Sequence, residues 1–193
     1  MKYERQENQR AGRNRNTLIN HTYIKSGAYR KKFNHISNNR KLNKLIYQIA
    51  KKMLFHRTGT LYEDMYWINP HSISVIAKEI TCHKESSIRY SKSTRKILKE
   101  HHGLITIHSH PHSSPPSFND LLSNYQNHYS LGIICCHDGK LFLYYANEPI
   151  NYFVYETAIA KYRKKGYDED NSQVFALKEL EEKYDIRVRE VLV

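Results

Sequence analysis

Residues 103–120, GLITIHSHPHSSPPSFND, constrain this chain more than any other stretch. Leu104, Ile105, Thr106 and Ile107 form a short apolar run bounded by Gly103, the pattern of a buried strand. The run leads directly into His108-Ser109-His110. Residues i and i+2 of a strand lie on one face, so the two imidazoles converge. Pro111, Pro115 and Pro116 then exclude regular structure from the loop that follows. Ser117-Phe118-Asn119-Asp120 starts an apolar-periodic segment and reads as a capping box, with Ser117 at N-cap and Asp120 at N3. Such a cap would fix the Asp120 carboxylate near the imidazoles. Two His nitrogens and one Asp oxygen make a three-ligand set for zinc and leave a fourth position to water; a structural zinc site fills all four with Cys and His.

Taken together, His-x-His-Pro, a proline-containing loop and Ser-x-x-Asp resemble the signature of the JAMM metalloproteases, also called MPN-plus or JAB-domain proteins, in a bacterial or phage-type member. The matching positions are His108, His110, Ser117 and Asp120. The spacer between His110 and Ser117 is six residues, one shorter than in most members. The family's fourth essential residue is an upstream glutamate. Glu63, just ahead of the strand-like run Met65-Tyr66-Trp67-Ile68, fits it best; Glu79 and Glu85 are the alternatives. The resemblance covers roughly residues 55–146. It implies an α/β fold in three layers around a mixed sheet, similar to the deaminase fold. It also implies Zn2+ on His108, His110 and Asp120, proton transfer by Glu63, and a hydrogen bond from Ser117 to a tetrahedral oxyanion. The implied activity is that of a peptidase or isopeptidase acting on a protein or peptide, for example at the tail of a ubiquitin-like or sulfur-carrier protein. Two alternatives stand beside it: a catalytically inert JAB-type module, and a RadC-like protein associated with DNA, either one recruited through the basic N-terminal segment.

The formal charge of +12 is unevenly placed. Residues 1–58 carry fifteen Lys and Arg against two acids, and the remainder carries sixteen against seventeen. The near-neutral remainder argues against nucleic acid as the substrate of the His site. The basic segment suits nucleic acid or an acidic partner. Residues 1–22 are polar and too poor in large apolar side chains to order themselves, and residues 23–33 read as a turn and a short helix. The expected division is a flexible basic extension over 1–40 and a folded domain over 41–193. No apolar run approaches the ~18 residues of a membrane span, and the first residues lack a hydrophobic leader. Cys82, Cys135 and Cys136 form no Cys-x-x-Cys pair, so reduced thiols and a cytoplasmic location are expected, with Cys135 and Cys136 in the core.

The remaining elements follow from periodicity. An amphipathic helix is expected over 39–56, its apolar stripe packed on the domain, followed by strands over 62–68 and 73–78 across Asn69-Pro70-His71-Ser72. A helix over 91–101 should bury Ile97 and Leu98, and the Ser117 helix should run to Tyr129. Strands over 131–136 and 141–146 flank Asp138-Gly139, read as a type I′ turn. Helices over 151–165 and 172–184 end the chain. His112 is expected in solvent, and His101, His102 and His137 have no spacing that recommends them as ligands.

Overall fold

The structure, a computed structural model, describes residues 15–85 and 87–192. Two short helices, α1 (His21–Lys25) and α2 (Gly27–Lys32), and a 3-10 turn, Phe33–His35, precede the long helix α3 (Arg40–Arg57). Strands β1 (Met65–Asn69) and β2 (Ser74–Glu79), helix α4 (Lys92–Lys99), strand β3 (Ile105–His110) and helix α5 (Phe118–Gln126) follow. Strands β4 (Leu131–Cys136) and β5 (Leu141–Ala146), helices α6 (Tyr152–Arg163) and α7 (Glu169–Glu181) and strand β6 (Ile186–Glu190) complete it. The six strands form one mixed sheet in the order β2-β1-β3-β4-β5-β6. Only β3 and β4 pair in parallel, joined through α5; every other pair is antiparallel.

Strand alternation sorts the core onto the two faces of the sheet. Ile105, Ile107, Ile133 and Cys135 pack under α3, while Ile134, Cys136, Phe142 and Tyr144 pack under α5, α6 and α7. The result is mixed α/β, with helices on both sides of the sheet. Asn39 caps α3 by accepting the amides of Lys41 and Leu42, and Leu42, Ile46, Ile49 and Met53 form its buried stripe as the periodicity implied. Among the described residues, no helix is long and apolar enough to cross a membrane.

The division at residue 40 does not hold for the described part of the extension. Ile24 and Tyr29 are fully buried and Phe33 nearly so, all in the core cluster under α3. Edge-to-face contacts link Tyr23 to Tyr29, Tyr29 to Phe33 and Phe33 to Tyr47 of α3. The Lys32 ammonium donates to the Gly139 carbonyl at 2.9 Å. A few well-spaced aromatic anchors therefore order a segment whose average composition is polar. The expectation of flexibility for residues 1–14 lies outside the described residues.

Other departures are local. The chain does not end on helices: β6 adds an antiparallel edge to β5, with Ile186 inward and Arg187 and Arg189 more exposed. Asp138-Gly139 is not a type I′ turn, because Gly139 alone takes positive φ there. The Gly139 amide donates to the Cys136 carbonyl, and the Cys136 amide donates to the Lys140 carbonyl, the pattern of a type I turn closed by a glycine bulge. A side chain at Gly139 would also strike the Tyr23 ring. In α4 it is Thr94 that is buried, with Ile97 and Leu98 only half-buried. Helix α5 stops at Gln126 because His128 turns left-handed (φ 51°), which swings Tyr129 back to accept the Trp67 indole N–H at 2.9 Å.

Candidate metal centre

The site is built from the β1–β3 register. Met65 lies opposite His108 in the antiparallel pair. Continuing that register two residues toward the N-terminus places Glu63 opposite His110, on the same face of the sheet. Backbone bonds fix the extrapolated stretch: the Ser109 amide donates to the Asp64 carbonyl at 3.1 Å, and the Asp64 amide donates to Ser109 Oγ at 3.0 Å. Asp64 points to the other face, as alternation requires, and meets the end of α3. Its carboxylate takes Arg57 Nε at 2.5 Å and His56 Nδ1 at 2.7 Å. The same guanidinium donates to the Ile80 and Cys82 carbonyls. Arg57 thus ties α3, the Glu63 segment and the end of β2 together. Both Arg57 and Asp64 are buried, so Asp64→Ala leaves an uncompensated buried cation, and a stability loss of ~3–5 kcal/mol is expected in urea unfolding. A loss below about 1 kcal/mol would show that water relieves Arg57.

Three donors meet above β3. His108 Nε2 and His110 Nε2 lie 3.0 Å apart, His108 Nε2 lies 3.3 Å from Asp120 Oδ1, and His110 Nε2 lies 3.6 Å from Asp120 Oδ2. Tetrahedral zinc with bonds of about 2.0–2.1 Å sets its ligand atoms roughly 3.3 Å apart, which the three separations bracket. Local structure orients two of the three donors. His110 Nδ1 donates to the Ser114 carbonyl at 3.0 Å, which leaves the Nε2 lone pair facing the other donors. The expected capping box is present: Ser117 Oγ accepts the Asp120 amide, and Asp120 Oδ2 takes both the Ser117 amide at 2.8 Å and the Ser117 hydroxyl at 2.7 Å. Oδ1 is left to face His108. The donor types and spacing suit a metal ion such as zinc, which His108, His110 and Asp120 would hold. His108 Nδ1 is buried and has no hydrogen-bond partner among the described residues.

The carboxylates and imidazoles of the site shift one another. Burial pulls His110 down, but the Asp120 carboxylate and the Glu63 charge outweigh it and push the imidazole up to about 9. Burial would raise Asp120, yet His108 and His110 beside it hold the carboxyl well below the usual range. Glu63 goes the other way: burial raises it, and His110 and His108 recover only part of the shift.

Glu63, Ser117 and the three donors line one cleft of about 410 Å³. The two alternative glutamates, Glu79 and Glu85, do not line it. Glu79 caps α4 by accepting the Ser91 amide at 2.8 Å, and Glu85 is exposed. His112 is exposed at the rim. His101 Nδ1 binds the Ile97 carbonyl. His137 is buried, donates to the Thr17 carbonyl at 2.6 Å and is pushed down to about 4 by burial. Cys135 and Cys136 are buried free thiols, and Cys82 is free and half-buried.

Sequence reasoning missed Ser114, which orients His110, and the walls of the cleft, Met65, Tyr90, Thr106, Tyr129 and Tyr144. Alternation could have found Met65 and Thr106 once β1 was registered on β3. Tyr144 crosses β4 at Gly132, where a Cβ would overlap its ring, and no local pattern announces that. The proline loop is held from behind by Gln173 Nε2 and Tyr155 Oη, which both donate to the Pro116 carbonyl. No known protein family, curated protein or solved structure matches this chain.

Proposed function

We propose that the chain is a zinc-dependent hydrolase of amide bonds, a peptidase or isopeptidase of the JAMM type with a JAB-like fold. The observation that carries this reading is the convergence of three donors at tetrahedral spacing with a buried carboxylate, Glu63, that is not among them. When bound, zinc lowers the pKa of its water to about 7 and polarises a carbonyl. Glu63 takes the proton of the attacking water and returns it to the leaving amine, a role suited to a carboxylate whose pKa burial has raised. Ser117 Oγ–H turns from Asp120 to the carbonyl oxygen as negative charge develops there, while its oxygen still accepts the Asp120 amide. Thr106 and Tyr144, both buried, line the cleft beside these groups.

The test begins with the metal. Purified protein should carry about one zinc per chain, and His108→Ala and Asp120→Ala should each lose most of it along with activity. Folded wild-type protein from zinc-replete cells that carries no metal would overturn the reading and favour an inert module.

A further inference from the structure

We propose that the outer surface of α1–α3, on the face of the sheet opposite the candidate metal centre, binds the phosphate backbone of nucleic acid. Between Glu7 and Glu63 the chain has no acidic residue. In that span Arg30, Lys31, Arg40, Lys41, Lys44 and Lys52 are all exposed, and among the described residues none enters an ion pair. The contrast lies on α6 and α7, where Lys161 pairs with Glu179 and Arg163 with Glu169. Lys41, Lys44, Gln48 and Lys52 recur at helical spacing along the solvent face of α3, a stripe about 16 Å long that matches several successive phosphates.

Beside the stripe lies a cleft of about 660 Å³ between α2 and the first turns of α3, lined by Arg30, Asn34, Asn38, Arg40, Lys44 and Tyr47 among others. Arg, Lys, Asn and Tyr are the side chains that commonly contact phosphate and sugar. Asn43 is committed elsewhere: its amide donates to the Asn34 and Ser37 carbonyls and shapes the cleft instead.

The surface chemistry favours nucleic acid over other polyanions. A helix lying on a membrane presents an apolar face, whereas the apolar stripe of α3 is buried. A protein interface centres on an apolar patch depleted in lysine, yet Leu18 is the one large hydrophobic exposed in this segment among the described residues. Nucleic-acid interfaces are polar and strongly positive. Because the sheet separates this surface from the metal centre, a bound polyanion leaves the cleft open.

The experiment is fluorescence anisotropy of the full chain with labelled single-stranded and duplex oligonucleotides over a salt series, with phosphatidylserine vesicles in parallel. Wild type should bind at least one oligonucleotide form with a steep salt dependence. The triple variant Arg30→Glu, Arg40→Glu, Lys44→Glu should bind at least roughly tenfold more weakly at low salt, with a log–log slope smaller by about 2 to 3. Acids near the start of α3 suit the helix dipole, whereas Arg30→Glu places one in the last turn of α2, so the thermal midpoint checks that the fold survives. If either of the first two substitutions impairs folding, Lys41→Glu with Lys44→Glu serves instead, with a slope smaller by about 2. Absence of oligonucleotide binding at low salt, unchanged affinity and slope in the folded variant, or vesicle binding without oligonucleotide binding would each overturn the proposal.

Discussion

Glu63→Gln should lower amide hydrolysis by roughly 10²-fold or more while zinc content stays near that of wild type. Glutamine keeps the shape of the side chain and much of its hydrogen bonding but cannot accept a proton. Glu63 is buried in the cleft beside His110 and is absent from the donor set, so the metal should not notice its loss. His108→Ala removes a donor and should lose metal and activity together. Glu79→Gln and Glu85→Gln should leave the rate nearly intact, because Glu79 caps α4 and Glu85 is exposed outside the cleft. The pH profile is a second check. A base acts only when ionised, so the rate should fall as pH drops through the Glu63 pKa, which burial raises and the His110 and His108 imidazoles beside it lower. A normal rate in Glu63→Gln with a lost rate in Glu79→Gln would move the base to β2. Full activity in all three glutamine variants would remove the general-base mechanism.

The parts of the site legible in the sequence are those fixed at short range. The His108 and His110 alternation needs only a strand, and the Ser117–Asp120 box needs only the first turn of a helix. Glu63 is different. Its place depends on the pairing of β1 with β3, some forty residues apart, and no periodicity within either strand encodes that register. The resemblance pointed to Glu63; the register supplies a physical reason for its position. The turn at Gly139 departs from the type I′ expectation because Asp-Gly suits both a type I′ turn and the second half of a glycine-bulge loop, and the Cys136–Lys140 pairing decides between them. Strand β6 offered only two alternating apolar positions, Ile186 and Val188, too few to outweigh the helix pattern before it.

A chain beginning at Lys41 is expected not to fold. Polar composition suggested that little is lost with the first forty residues, but averages hide anchors. Helices α1 and α2 have five and six residues, too short for periodicity to show, yet they carry Ile24 and Tyr29, with Phe33 immediately after. Each fully buried apolar side chain of this size contributes about 1.5–3 kcal/mol, so the three together rival the 5–15 kcal/mol that typically holds a domain folded. The loss goes beyond these side chains, because they share one core cluster with Leu42, Ile46 and Met53 of α3 and the strand residues Cys135, Leu141 and Leu143. It also strips the Gly139 carbonyl of Lys32 and His137 of its Thr17 carbonyl. Tyr29→Ala alone should cost ~3–5 kcal/mol in urea unfolding. The truncated chain should be insoluble or lack a cooperative transition, and it should hold no zinc even though every ligand is still present, because α3 anchors the Glu63 segment through Arg57 and Asp64. A truncated chain that unfolds cooperatively near the wild-type midpoint would show that α3 and the sheet form a sufficient core, with the aromatic anchors merely resting on it.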